Sequence, residues 1–159
     1  MGVSTDALLF WGIAFPDEYD REEERDDDEP NPLRSDWETV YCEARGLKRP
    51  HVDWIEDGKH GWDPATPEQR QALDAYREAR RQLIDACPCE ITFHCSSESP
   101  MLVVALKRTL QKARRGYPVE PELSIISVDE RAAFEEFMDL LKIPSDGHWP
   151  RWWLASYWG

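Results

Sequence analysis

Ten of the thirteen residues from Asp17 to Glu29 are acidic, opposed only by Arg21 and Arg25. A run this dense repels itself and keeps its water, so it cannot enter a core. Whatever the chain folds into must be built around it. The segment carries ten negatives less two positives, −8 of a formal net charge of −13. Pro30-Asn31-Pro32 follows and breaks any helix. Residues 17–34 therefore read as a long insertion or loop. It is either a solvated loop or a surface aimed at something basic. The candidate contact residues are Asp17, Glu18, Asp20, Glu22, Glu23, Glu24, Asp26, Asp27, Asp28 and Glu29.

On either side of that run the pattern is globular. Ala7–Phe15 is a mostly apolar stretch with Gly12 inside it, which predicts a strand with a bulge or a close backbone approach. Ser35 with Glu38 forms a capping box before Trp37, Val40, Tyr41 and Ala44, and Gly46 supplies a stop. Leu47–Ala65 is too long for an ordinary connection and is expected to be functional, mobile or to carry short structure. Thr66-Pro67-Glu68-Gln69 opens a second helix, with Gln69 closing the box and Ala72, Tyr76, Ala79, Leu83 and Ala86 as its apolar stripe. Pro88 ends it, and Glu90–Cys95 reads as a strand.

Met101–Leu106 carries adjacent Val103 and Val104 and leans to a strand, within a stretch 101–115 that also fits a helical face. Leu123–Ile126 is a short strand candidate. Ser127 and Glu130 box a last helix whose face is Ala133, Phe134, Phe137, Met138 and Leu141. The tail from His148 holds four of the eight Trp. It reads as a closing strand, with an exposed partner-binding patch as the other reading; both require an ordered end. The expected fold class is α+β, a small, mainly antiparallel sheet with about three helices packed on it. At 159 residues the chain is expected to form a single domain, 1–159.

No reaction is named by a motif. Cys87, Cys89, His94 and Cys95 are the metal candidates, but their spacing differs from paired Cys knuckles, and a strand turns neighbours His94 and Cys95 to opposite faces. No metal or cofactor is expected, and the thiols are expected to be free. His51-Val52-Asp53 with Pro88-Cys89 and Cys95 misses the deaminase pattern in both acid length and thiol spacing. Lys107, Arg108, Lys112, Arg114 and Arg115 form a basic cluster, expected to pair internally or be solvated. With a pI near 4.7, direct binding to nucleic acid is not expected. The start lacks a basic region before its apolar stretch and reads as a strand rather than a signal peptide.

Thr5-Asp6-Ala7-Leu8-Leu9-Phe10-Trp11-Gly12, His94-Cys95-Ser96 with Pro100-Met101, Ala113-Arg114-Arg115-Gly116-Tyr117-Pro118 and Ser156-Tyr157-Trp158-Gly159 together resemble a small family of uncharacterised phage and prophage proteins. The resemblance implies a protein made in the cytoplasm of a bacterial host by a mobile element. Small acidic proteins of that origin resemble anti-CRISPR or anti-restriction inhibitors. The expected function is accordingly a non-enzymatic one: inhibition of a basic, nucleic-acid-binding host protein by imitation of phosphate charge. A small Cys/His-dependent enzyme, with or without metal, and a virion structural or assembly protein are the alternatives. No membrane partner is expected, and the sequence sets no oligomeric state.

Overall fold

The structure is a computed structural model that describes residues 7–15, 37–56, 62–95, 100–114, 116–143 and 147–156, with backbone alone for 93–95, 100 and 156. The acidic run and its ten candidate contacts lie outside the described residues, as do Ser35 and Pro144. The strands are β1 (Ala7–Phe15), β2 (Trp54–Glu56), β3 (Trp62–Pro64), β4 (Cys89–Cys95), β5 (Pro100–Leu106), β6 (Gln111–Ala113) and β7 (Arg151–Ser156). The helices are α1 (Trp37–Ala44), α2 (Pro67–Ala86) and α3 (Val128–Leu140). Every strand pairing among the described residues is antiparallel. The fold is α+β. Contacts divide the chain into two compact units, Met1–Trp37 with Pro88–Gly159, and Glu38–Cys87.

In the first unit β1 is the central strand. On one side its C-terminal half pairs β5, with Gly12 opposite Ala105 and Phe15 opposite Leu102. On that same side its N-terminal half pairs β6. On the other side Ala7–Gly12 pair β7, and β4 pairs the far side of β5. Between β5 and β6 the chain leaves the ladder in a short turn of 3-10 helix, Lys107–Thr109. The gap is closed by a side chain: Thr109 Oγ1 accepts the Trp11 backbone N–H at 3.0 Å and donates to Leu106 O at 2.7 Å. A polar side chain buried to this degree must have partners, and Thr109 has both.

Both faces of β1 are largely buried, which explains why it is a nearly unbroken apolar run rather than an alternating one. Leu8, Phe10 and Ala14 cluster with Val103, Ala105 and Ala155 on one face. On the other, Trp11 meets Phe134 of α3 edge-on, ring centres 5.3 Å apart. Trp37 meets Phe137 in the same way at 5.7 Å. Gly12 is the close approach expected from the sequence, since a Cβ there would lie 2.0 Å from Val104 O. Its own carbonyl accepts the Trp153 indole N–H at 3.0 Å. The closing strand foreseen in the tail is β7.

Helix α3 begins as its sequence predicts. Ser127 and Glu130 form the reciprocal capping box, and Phe134, Phe137, Met138 and Leu141 are buried. It ends without glycine. Lys142 takes the left-handed φ of 53°, its N–H bonding Asp139 O while Ile143 N–H bonds Met138 O.

Leu123–Ile126 is not a strand. Leu123 and Ile125 are exposed and only Ile126 is buried, so no apolar face forms to seat a strand. The backbone is held instead by side chains. The Gln111 amide bonds both the N–H and the carbonyl of Glu122, at 2.9 and 2.8 Å. Arg108 bonds Ser124 Oγ at 2.5 Å and Ile125 O at 3.1 Å.

In the second unit, Gly46 at φ 84° closes α1, with bonds from Gly46 N–H to Glu43 O and from Leu47 N–H to Cys42 O, each 2.9 Å. The long Leu47–Ala65 connection carries short structure, the hairpin β2–β3. Thr66 caps α2 by accepting Gln69 N–H. The expected box does not close, because the Gln69 amide donates to Asp53 Oδ2 at 2.9 Å instead. The apolar stripe of α2 is also rotated from the expected one. Leu73 is the buried residue, Tyr76, Ala79 and Leu83 are half-buried, and Ala72 and Ala86 are exposed. Arg80 pairs Glu38 at 2.5 Å, joining α2 to α1.

Candidate binding surface

The cysteines are built into the core. Cys42, Cys87 and Cys89 are buried and form no disulfide. Burial pushes the Cys42 thiol above its ordinary value, outweighing the nearby Arg80 guanidinium. Burial, followed by a hydrogen bond with Cys87, likewise raises the Tyr41 hydroxyl. A nucleophilic thiol needs the opposite, a depressed pKa and access. His94 and Cys95 are consecutive on β4, in register with Met101 and Pro100 of β5. Among the described residues no three His, Cys, Asp or Glu side chains form a group able to hold a metal. His51 Nε2 lies 3.3 Å from Asp53 Oδ1, but both side chains are open to solvent.

The basic cluster is partly committed within the chain. Arg108 grips Glu130 with two nitrogens, NH2 at 2.8 Å from Oε2 and Nε on Oε1. That grip, together with the Ser127 N–H, holds the Glu130 carboxyl down at about 2. Arg108 is thus tied to the N-terminal turn of α3. Other arginines are used in the same way. Arg70 pairs Asp63 at 3.0 Å and Arg77 pairs Asp74 at 3.2 Å. Arg81 pairs Glu78. Arg45, Arg131 and Arg151 lie over the rings of Tyr41, Trp11 and Trp153, at 5.4, 5.7 and 4.2 Å.

Among the described residues three surfaces stand open. The first is a groove of about 470 Å³ in the first unit, between α3 and the segment leading into β7. Ile13, Phe134, Met138 and Ile143 form its apolar floor, and Glu135, Asp139, His148 and Trp149 its rim. His148 rests against Phe15, ring centres 5.7 Å apart, while Trp149 is 80% exposed. Among the described residues neither Glu135 nor Asp139 has an ion-pair partner. Sequence reasoning passed over this pair, because 32 acidic residues place such spacings throughout the chain. The usable signal was their position on the polar side of a helix ending beside a Trp-rich tail.

The second surface is the extended segment after β6. Val119, Leu123 and Ile125 are all exposed, Ile125 by 93%. The third lies in the second unit, where Trp54 and Trp62 occupy one face of the β2–β3 hairpin and are both exposed. A depression of about 560 Å³ near the start of α2 includes Arg70, already paired with Asp63.

No described helix is long and apolar enough to cross a membrane. No protein-family model, curated protein or solved structure matches the chain.

Proposed function

We propose that this chain is a non-enzymatic binding protein of phage or prophage origin. It inhibits a basic, nucleic-acid-binding host protein by offering carboxylates where phosphate would dock. The observation that carries this reading is how the charges are distributed. The paired arginines named above are occupied by the chain's own carboxylates and rings. The surplus of −13 is thereby left to the carboxylates, with −8 in one thirteen-residue run. Such a molecule repels phosphate and attracts lysine and arginine. Complementary charge of this kind acts mainly by speeding encounter.

The test begins with capture of host proteins from bacterial lysate at low and moderate salt, followed by kinetics on the partner found. Exposed charge pairing fades as the Debye length falls from about 10 Å at 0.1 M salt to about 3 Å at 1 M. Replacing the ten acids of Asp17–Glu29 with Ser and Gln is expected to slow association and flatten the salt slope. A neutralised variant that associates as fast as the parent would reduce the run to a solubilising loop and remove this reading.

A further inference from the structure

Building on the basic-partner reading, we propose that the groove beside α3 is the seat for an arginine side chain of that partner, with the guanidinium against Trp149 and the Glu135 and Asp139 carboxylates. The floor of Ile13, Phe134 and Met138 is apolar and suits the methylene stem of a long cationic side chain. Glu135 and Asp139 are four residues apart on α3, so their carboxylates stand one turn from each other on the same edge. They sit toward the carbonyl end of the helix, where the peptide dipoles already make the potential negative and where the last turn holds no basic residue. Carboxylates in that position work against helix stability, and neither is ion-paired to a described cation. Their combined field favours an incoming cation.

The aromatic wall selects the kind of cation. Trp149 is exposed, and an indole face attracts a guanidinium more readily than a strongly hydrated ammonium. The chain makes this contact itself two residues further on, where Arg151 covers Trp153 at 4.2 Å. At about 470 Å³ the groove holds one such side chain with its flanking backbone. A second copy of this chain is the wrong occupant, because each copy carries −13.

The test is a titration of isotope-labelled protein with octa-arginine and with octa-lysine peptides at about 0.15 M salt, where charges beyond roughly 8 Å are screened. Four proteins are compared: the parent, Glu135→Gln/Asp139→Asn, Trp149→Ala, and the chain with Asp17–Glu29 neutralised. The expected result is that octa-arginine shifts the resonances of Glu135, Asp139, His148 and the Trp149 indole. The double variant should bind it about tenfold more weakly, and Trp149→Ala should weaken arginine more than lysine. Groove shifts that persist in the neutralised chain support the seat even if the acidic run proves dispensable. Shifts confined to other acids, with unchanged affinity in the double variant, overturn the groove and leave the basic-partner reading standing. Equal weakening of both peptides by Trp149→Ala overturns the assignment to arginine. Failure of both peptides to bind any of the four proteins overturns groove and basic partner together.

Discussion

Thr109 and Trp11 stand 98 residues apart in sequence, yet the Thr109 hydroxyl supplies the hydrogen bond that the sheet denies to the Trp11 backbone. The link joins the turn between two strands to the middle of the central one. Without it, a buried N–H would face apolar surroundings. Thr109→Val keeps the shape and removes the acceptor, so it is expected to cost about 1–3 kcal/mol in urea unfolding. Thr109→Ser keeps the hydroxyl and should cost much less. Equal losses in the two variants would show that shape, not the hydrogen bond, matters there.

Strand β7 is predicted to be a structural member of the sheet. Trp153→Phe removes the donor to Gly12 O and should cost about 1 kcal/mol. Trp153→Ala also leaves a cavity and should cost about 2–4 kcal/mol, below the figure for a fully buried indole. Truncation after Pro150 is expected to abolish cooperative thermal unfolding. An unchanged Tm in the truncated chain would assign the tail to partner contact alone.

The Arg108–Glu130 grip gives the fold a defined acid sensitivity. Glu130 is lowered from an ordinary 4.5 to about 2. A carboxyl shifted down contributes stability that is fully present above its unfolded-state value and is lost as pH falls through its folded-state value. The contribution should therefore fade between pH 4.5 and about 2. Urea midpoints across that window should fall more steeply in the parent than in Glu130→Gln. Protease cleavage within 117–127 should rise in step, since Arg108 holds Ser124 and Ile125 from the same guanidinium.

The buried thiols are predicted to be inert. At neutral pH, iodoacetamide should leave Cys42, Cys87 and Cys89 unmodified in the native protein and label all three once it is denatured. Peptide mass spectrometry gives the answer residue by residue. Rapid native labelling of Cys42 would contradict its raised pKa and revive thiol chemistry as a function.

The sequence was most readable where one cause governs. The apolar run of β1, the paired valines of β5 and the capping box of α3 each follow from local chemistry, and each forms as expected. Reading failed where side chains take over backbone duties. Nothing in Leu123–Ile126 announces that Arg108 will bond the Ile125 carbonyl, and Gln111 the backbone of neighbouring Glu122, in place of a strand. Nothing near Thr66 announces that Gln69 will turn away to Asp53. The groove was invisible for a different reason. Its acids lie on α3 and its aromatic wall precedes β7, and only packing brings them to one rim.

The central place of β1 also carries a consequence for synthesis. Its partners β5, β6 and β7 all begin at residue 100 or later. A ribosome adding about 5–20 residues per second leaves the finished β1 waiting on the order of ten seconds for β7. Throughout that interval nine largely apolar residues leave the exit tunnel with none of their native strand partners made. The next residues to emerge are the ten acids. Charge placed beside an unpaired hydrophobic strand opposes its association with other nascent chains. The same carboxylates are therefore expected to act as a gatekeeper during translation, and neutralising them should lower soluble yield even where the finished fold is unharmed.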